Sequence, residues 1–89
     1  MFDLVKIELV RPDIELESTR VNMLKEANIE MTEKLRAAGV YPFWYSWHPE
    51  TRAGISYTRF VAYGVPDERE AVELQWNNRA ARIRIGLKP

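Results

Sequence analysis

Few residues in this chain could do chemistry. Its one histidine, His48, stands two residues before Glu50 in the stretch YPFWYSWHPE, Tyr41 to Glu50, where five of the ten residues are aromatic. A histidine with a carboxylate can act as an acid–base pair or contribute to a metal site, but a zinc site needs three or four strong ligands. No second histidine and no cysteine is present, and the chain lacks HExxH, a glycine-rich phosphate loop and a paired-carboxylate spacing. His48 is therefore read as a possible ligand contact near a strand end, and no catalytic residue, metal or cofactor is assigned. Trp44, Tyr45, Trp47 and Trp76 have the ring chemistry of a cage for a cationic ligand, although no spacing brings Trp76 to the other three. A basic cluster of Arg79, Arg82, Arg84 and Lys88 follows the last acidic residue, Glu73, and is the one local feature that could meet phosphate.

The elements that would position these groups must fit in a small molecule. At 89 residues the chain is one domain, 1–89, and buries only about two-thirds of its unfolded surface. Hydrophobic residues make up 46% and charged residues 29%, a balance that supports a core and argues against disorder. Thirteen basic residues offset thirteen acidic ones, so no long-range field draws the chain to nucleic acid or to an anionic membrane. The absence of cysteine fits a reducing interior, and the expectation is a cytoplasmic protein. Asp3, Lys6 and Glu8 interrupt the N-terminal segment MFDLVKIELVRP, which does not read as a signal peptide. No run approaches the ~20 apolar residues of a membrane span, so no membrane partner is expected.

Along the chain, FDLVKIELV alternates, with Val5, Ile7 and Leu9 on one side and Leu4, Lys6, Glu8 and Val10 on the other, which predicts a half-buried strand closed by Arg11-Pro12. From a start near Ser18 or Thr19 to Ala38, apolar residues recur at Leu24, Ala27, Met31 and Leu35, a helical stripe that Gly39 terminates. Asn28 also falls in this stripe, either at its rim or paired to a buried polar group. Tyr41 to His48 and Gly54 to Gly64 read as two strands of an antiparallel hairpin, joined by the loop HPETRAG. Pro66 to Gln75 reads as a helix capped by Asp67, with Glu70 reaching back to the cap. The alternation of Val72, Leu74 and Trp76 before Asn77-Asn78 also permits a strand and turn there. The segment RAARIRIGL is read as a last strand, Ile83 and Ile85 inward and Arg82 and Arg84 outward.

This order predicts an α+β protein with a ferredoxin-like βαββαβ arrangement, an antiparallel sheet carrying two helices on one face. The alternative is one helix on a five-stranded antiparallel sheet. Either arrangement leaves one sheet face open. On it the alternations place Lys6, Arg82 and Arg84, and Arg59 with Tyr57 and Tyr63, because a buried unpaired guanidinium is too costly. In the second strand Phe43, Tyr45 and Trp47 fall on one side and Trp44, Ser46 and His48 on the other, so one ring set, Trp44 or Trp47, joins the open face. Such a face is more apolar than a monomer usually shows.

The functional expectation is a small non-catalytic binding or regulatory protein acting through protein–protein contacts of this face, as a homodimer or with another protein. A second reading is a nucleic-acid-binding regulator using Lys6, Arg59, Arg82 and Arg84 around Tyr57. The segment TRFVAY shares Phe60-Val61-x-Tyr63 with the third-strand signature of RNA-recognition modules. Tyr57 stands where that signature has glycine and Thr58 where it has an aromatic, and its stacking positions fall on the inward side. A third reading is an enzyme of the dimeric α+β barrel kind, with a hydrophobic pocket between sheet and helices and His48 directed into it.

Overall fold

The computed structural model describes residues 4–13 and 17–87, leaving aside the side chains of 17–21. The order is β1 (Val5–Pro12), α1 (Glu17–Ala37), β2 (Tyr41–Arg52), β3 (Ile55–Val65), α2 (Glu68–Trp76) and α3 (Asn78–Arg84). The strands form one antiparallel sheet with β3 in the centre, in the order β1-β3-β2. The protein is thus α+β, as the sequence predicts. The βαββαβ order and the five-stranded alternative both require a strand near the C-terminus, where the chain instead forms α3.

α1 forms where the stripe predicts it. Ala27, Met31 and Leu35 are buried, joining Leu9, Val40, Phe60 and Ala62 in a cluster to which Val5, Ile7, Met23 and Leu24 add partial cover. Asn28 is exposed, its carbonyl accepting the Thr32 hydroxyl at 2.8 Å, so the rim position is the correct one. Gly39 takes a φ of 80°, the left-handed value that closes the helix. Ser18 and Thr19 lie within the helix rather than before it, and residues 14–16, just before it, fall outside the described ones.

The second cluster corrects the expectation of two helices on one face. Phe43, Val65, Ala71, Leu74 and Ala81 pack together, with Leu4, Tyr41, Trp44, Tyr63 and Ile85 around them. Leu4 and Tyr63 are strand neighbours of Val5 and Ala62, which belong to the first cluster, so alternation sets the two clusters on opposite faces. α1 covers one face, and α2 with α3 covers one end of the other.

Two local features differ from what the sequence pattern predicts. The register slips between Pro42 and Trp44, a bulge at Phe43. A bulge puts two residues against one, and here both Phe43 and Trp44 reach the second cluster while Tyr45 and Trp47 turn toward α1. Phe43, Tyr45 and Trp47 therefore do not share a face. The hairpin also lacks the long loop: β2 and β3 pair up to Arg52 opposite Ile55. The turn is Ala53-Gly54, with φ of 52° and 79°, the positive pair that a two-residue turn matched to strand twist requires.

α2 starts as its sequence predicts. Asp67 Oδ1 accepts the Arg69 N–H at 2.9 Å and the Glu70 N–H at 3.4 Å. The Glu70 carboxylate is engaged elsewhere, with Arg84 Nε at 3.1 Å. α3 follows after a single residue, Asn77, whose Oδ1 accepts the Ala80 N–H at 3.1 Å. Gln75 Nε2 donates to the Pro42 carbonyl at 2.9 Å and ties α2 to the bulge.

Candidate functional site

The face opposite α1 brings together much of what the sequence placed there. Register sets Lys6 across from Tyr63, Arg59 across from His48, and Tyr63 across from Trp44. Away from α2 and α3 this face is a chain of charges. Arg59 Nη1 donates to Glu8 Oε1 at 2.9 Å, and Arg59 Nε lies 2.8 Å from Glu50 Oε1. Lys6 Nζ is 3.6 Å from the same Glu8 oxygen, and Arg52 donates to the other oxygen of Glu50 at 2.8 Å. The Arg52 guanidinium also stands 5.9 Å from the centre of the Tyr57 ring. One arginine on the central strand thus holds a carboxylate from each outer strand. The Arg59 Nε contact with Glu50 is an ion contact with its N–H off the line, since that nitrogen makes no well-aligned hydrogen bond.

The hydrogen bond from Arg59, with help from Lys6, holds the Glu8 carboxyl below the ordinary carboxylate range, and Glu8 in turn raises Arg59. A carboxylate with a lowered folded-state pKa stabilises the fold above its unfolded pKa and loses that contribution as pH falls through the folded value. Glu8→Gln should therefore lower the melting temperature at neutral pH and leave the strongly acidic value nearly unchanged, flattening the acid-side fall measured by circular dichroism. Equal acid slopes in the two proteins would show that Glu8 carries no such linkage.

The remaining sequence candidates are dispersed. Trp47, 59% exposed, lies on the α1 side, where it borders a cleft with Met23, Leu24, Pro49 and Thr58. Arg82 and Arg84 project from α3 rather than from a strand, and Arg84 is bonded to Glu70. Trp44 and Tyr63 are half-buried beneath the C-terminal helices, and Tyr45 bonds to Thr32 of α1, so no aromatic cage forms. His48 is exposed, 3.2 Å from the Ser46 hydroxyl, and lines none of the described clefts. One of those, about 410 Å³, lies between the end of β1 and α1, and the paired side chains of Arg11 and Glu30 stand at its wall. Among the described residues no three metal-ligating side chains converge, and no helix is long and apolar enough to cross a membrane.

Sequence reasoning passed over the most exposed apolar surface. Trp76 is 86% exposed at the end of α2, and Val72, one turn before it, is also exposed. Ile83, expected inward on a strand, is 55% exposed on α3, and Leu87 follows it. The signal was present in Val72 and Trp76, four apart, which share a helix face distinct from that of Ala71 and Leu74. Val72 and Trp76 on α2 and Ile83 on α3, the helix that carries Arg79, Arg82 and Arg84, are the exposed apolar residues of the α2–α3 shoulder. Comparison of the chain with protein-family models, with curated proteins and with solved structures finds no significant match.

Proposed function

We propose that this chain is a small binding protein of regulatory type that grips a partner protein on the α2–α3 shoulder. The observation that carries this reading is Trp76. A large ring left 86% exposed one helical turn from the exposed Val72 leaves apolar area in water that a partner would cover, and Ile83 and Leu87 are exposed on and after the next helix. Tryptophan and arginine are also the side chains that most often carry binding energy at protein interfaces. The partner's chemistry follows from the charge: Arg79 and Arg82 lie on α3 and no acidic residue follows Glu73, which favours an apolar docking surface rimmed by carboxylates.

The nucleic-acid reading draws less support. Of the four cations it grouped, Lys6 and Arg59 already face Glu8, and Arg84 faces Glu70. Phosphate would have to displace those carboxylates before gaining anything. The barrel-enzyme reading needed His48 directed into a pocket, and its exposed place on the sheet gives that reading no support.

A photocrosslinking amino acid placed at position 76 and expressed in the host cell should give one discrete protein adduct. Ile83→Asp should suppress that adduct, and the same probe at Glu33 on α1 should not produce it. Trp76→Ala should leave the urea midpoint of the purified protein nearly unchanged, because so exposed a ring contributes little to folding. Adducts at 76 that match those at 33, or that survive Ile83→Asp, would overturn the reading.

A further inference from the structure

A three-stranded sheet has two outer edges, and here they differ. The β2 edge contains Pro42 and Pro49, which have no N–H to give to a new strand, and the Pro42 carbonyl is already taken by Gln75. Along β1 the first proline is Pro12, its last residue, and among the described residues no strand pairs with its outer side. Unprotected edges invite another strand, and charged side chains usually discourage it. Lys6 and Glu8 stand on this edge strand, and whether they repel or attract a visitor depends on what faces them.

We infer that the visitor is a second copy of this chain, joined antiparallel through β1 about a two-fold axis at Ile7. The segment Leu4-Val5-Lys6-Ile7-Glu8-Leu9-Val10 is complementary to its own reverse. Centred on Ile7, each Lys6 faces Glu8 of the other copy, each Val5 faces Leu9, and each Leu4 faces Val10. Directly opposed residues in an antiparallel pair share a face, and a two-fold axis normal to the sheet preserves faces, so only registers centred on a residue are open. Centring on Lys6 or Glu8 sets like charges together. Centring on Val5 or Leu9 sets neither charge against an opposite one. Ile7 is the one centre that pairs every charge and every apolar residue in the segment.

The packing on each face agrees with this register. Val5 and Ile7 are only half-buried at the rim of the α1 cluster, whose buried member on this strand is Leu9. Joining two edges carries that cluster across the axis. On the other face the charge chain from Glu50 through Arg59 to Glu8 continues into Lys6 of the second copy. The result is a continuous six-stranded sheet, with isologous contacts of the kind most small oligomers use. The shoulder of α2 and α3 takes no part, so this assembly stands or falls independently of the proposed partner site.

Cysteine reports on the register because the natural chain has none. At the axis, Ile7→Cys places two sulfurs on directly opposed residues, whereas Val5→Cys places them four residues, or about 13 Å, apart along the strands. Sedimentation of the unmodified protein at high-micromolar concentration should give twice the monomer mass. Mild oxidation should convert Ile7→Cys to a covalent dimer and leave Val5→Cys at the background rate. Lys6→Glu and Glu8→Lys should each be monomeric alone, and an equimolar mixture should recover the dimer, since every facing pair is then of opposite charge. Should Ile7→Cys or Glu8→Lys fail to fold, the unmodified protein and Lys6→Glu still decide the matter. A strict monomer, a dimer that Lys6→Glu leaves intact, or equal cross-linking at positions 5 and 7 would overturn the inference.

Discussion

Phe60→Ala is expected to lower the urea midpoint by about 1 M or more. Phe60 lies on the central strand and is 1% exposed, in contact with the apolar cluster formed by Leu9, Met31, Leu35 and Val40. Truncating a buried phenylalanine costs about 3–5 kcal/mol, the transfer of the ring plus the cavity it leaves. A domain of this length has a total margin of roughly 4–13 kcal/mol, so about a quarter of it or more would go. Denaturant slopes for small domains, about 1–3 kcal/mol per molar urea, convert the loss into the stated shift. A midpoint change below about 0.5 M would mean that the ring is not at the centre of the core.

Gly64→Ala should produce the next largest loss, about 1–3 kcal/mol. Gly64 pairs with Val5 on one side and Pro42 on the other, beside the bulge. A β-carbon there would lie 2.9 Å from the Tyr41 carbonyl oxygen and 2.9 Å from Val40 Cγ2. A flexible side chain could retreat, but the Tyr41 oxygen belongs to the backbone, so the start of β2 must move. Replacing glycine also removes unfolded-state entropy, an opposing gain of about 0.4–1 kcal/mol, which the clash outweighs. The measurement is again the urea midpoint, joined to amide exchange at Tyr41 to Trp44, which should quicken. A more stable variant would show that β2 and β3 are less closely apposed there.

The legible parts of the fold were those in which a long pattern agreed with its caps. α1 repeats its stripe over several turns, ends on Gly39 and buries Ala27, Met31 and Leu35 as the spacing required. β1 alternates cleanly, and Arg59 lies on the face opposite α1, where the cost of burying a guanidinium sends it. α2 was legible from Asp67, whose carboxylate does cap the helix. α3 was not, because seven residues are too few for a helical period to outweigh the alternation of Ile83 and Ile85. The deciding features were Asn77 acting as a cap rather than a turn residue, and the four-residue spacing of Ala81 and Ile85. Reading α3 as a strand put Ile83 in the core and Arg82 and Arg84 on the sheet, and so hid the shoulder. The bulge at Phe43 escaped because a one-residue slip reverses side-chain direction without changing composition.

The candidate surface was legible in part for the same reason. The expectation of excess aromatic area rested on two helices sheltering one face, whereas helices stand on both. Phe43 and Trp44 find cover beneath α2 and α3, and Tyr45 rests against α1. What stays most exposed is Trp76, in an element whose identity the sequence left open, with Trp47 second on the α1 side.

The placement of the two apolar clusters on opposite sides of one sheet also bears on how the molecule breathes. The α1 side holds the larger aliphatic set, while the other is closed by Leu74 and two alanines from short helices. Removing α2 and α3 from the sheet therefore breaks one cluster and leaves the other whole, so subglobal opening begins at the C-terminal end. A molecule bound at Trp76 would hold that flap shut, and its arrival would register as slowed solvent exchange in α2 and α3 more than in the central strand.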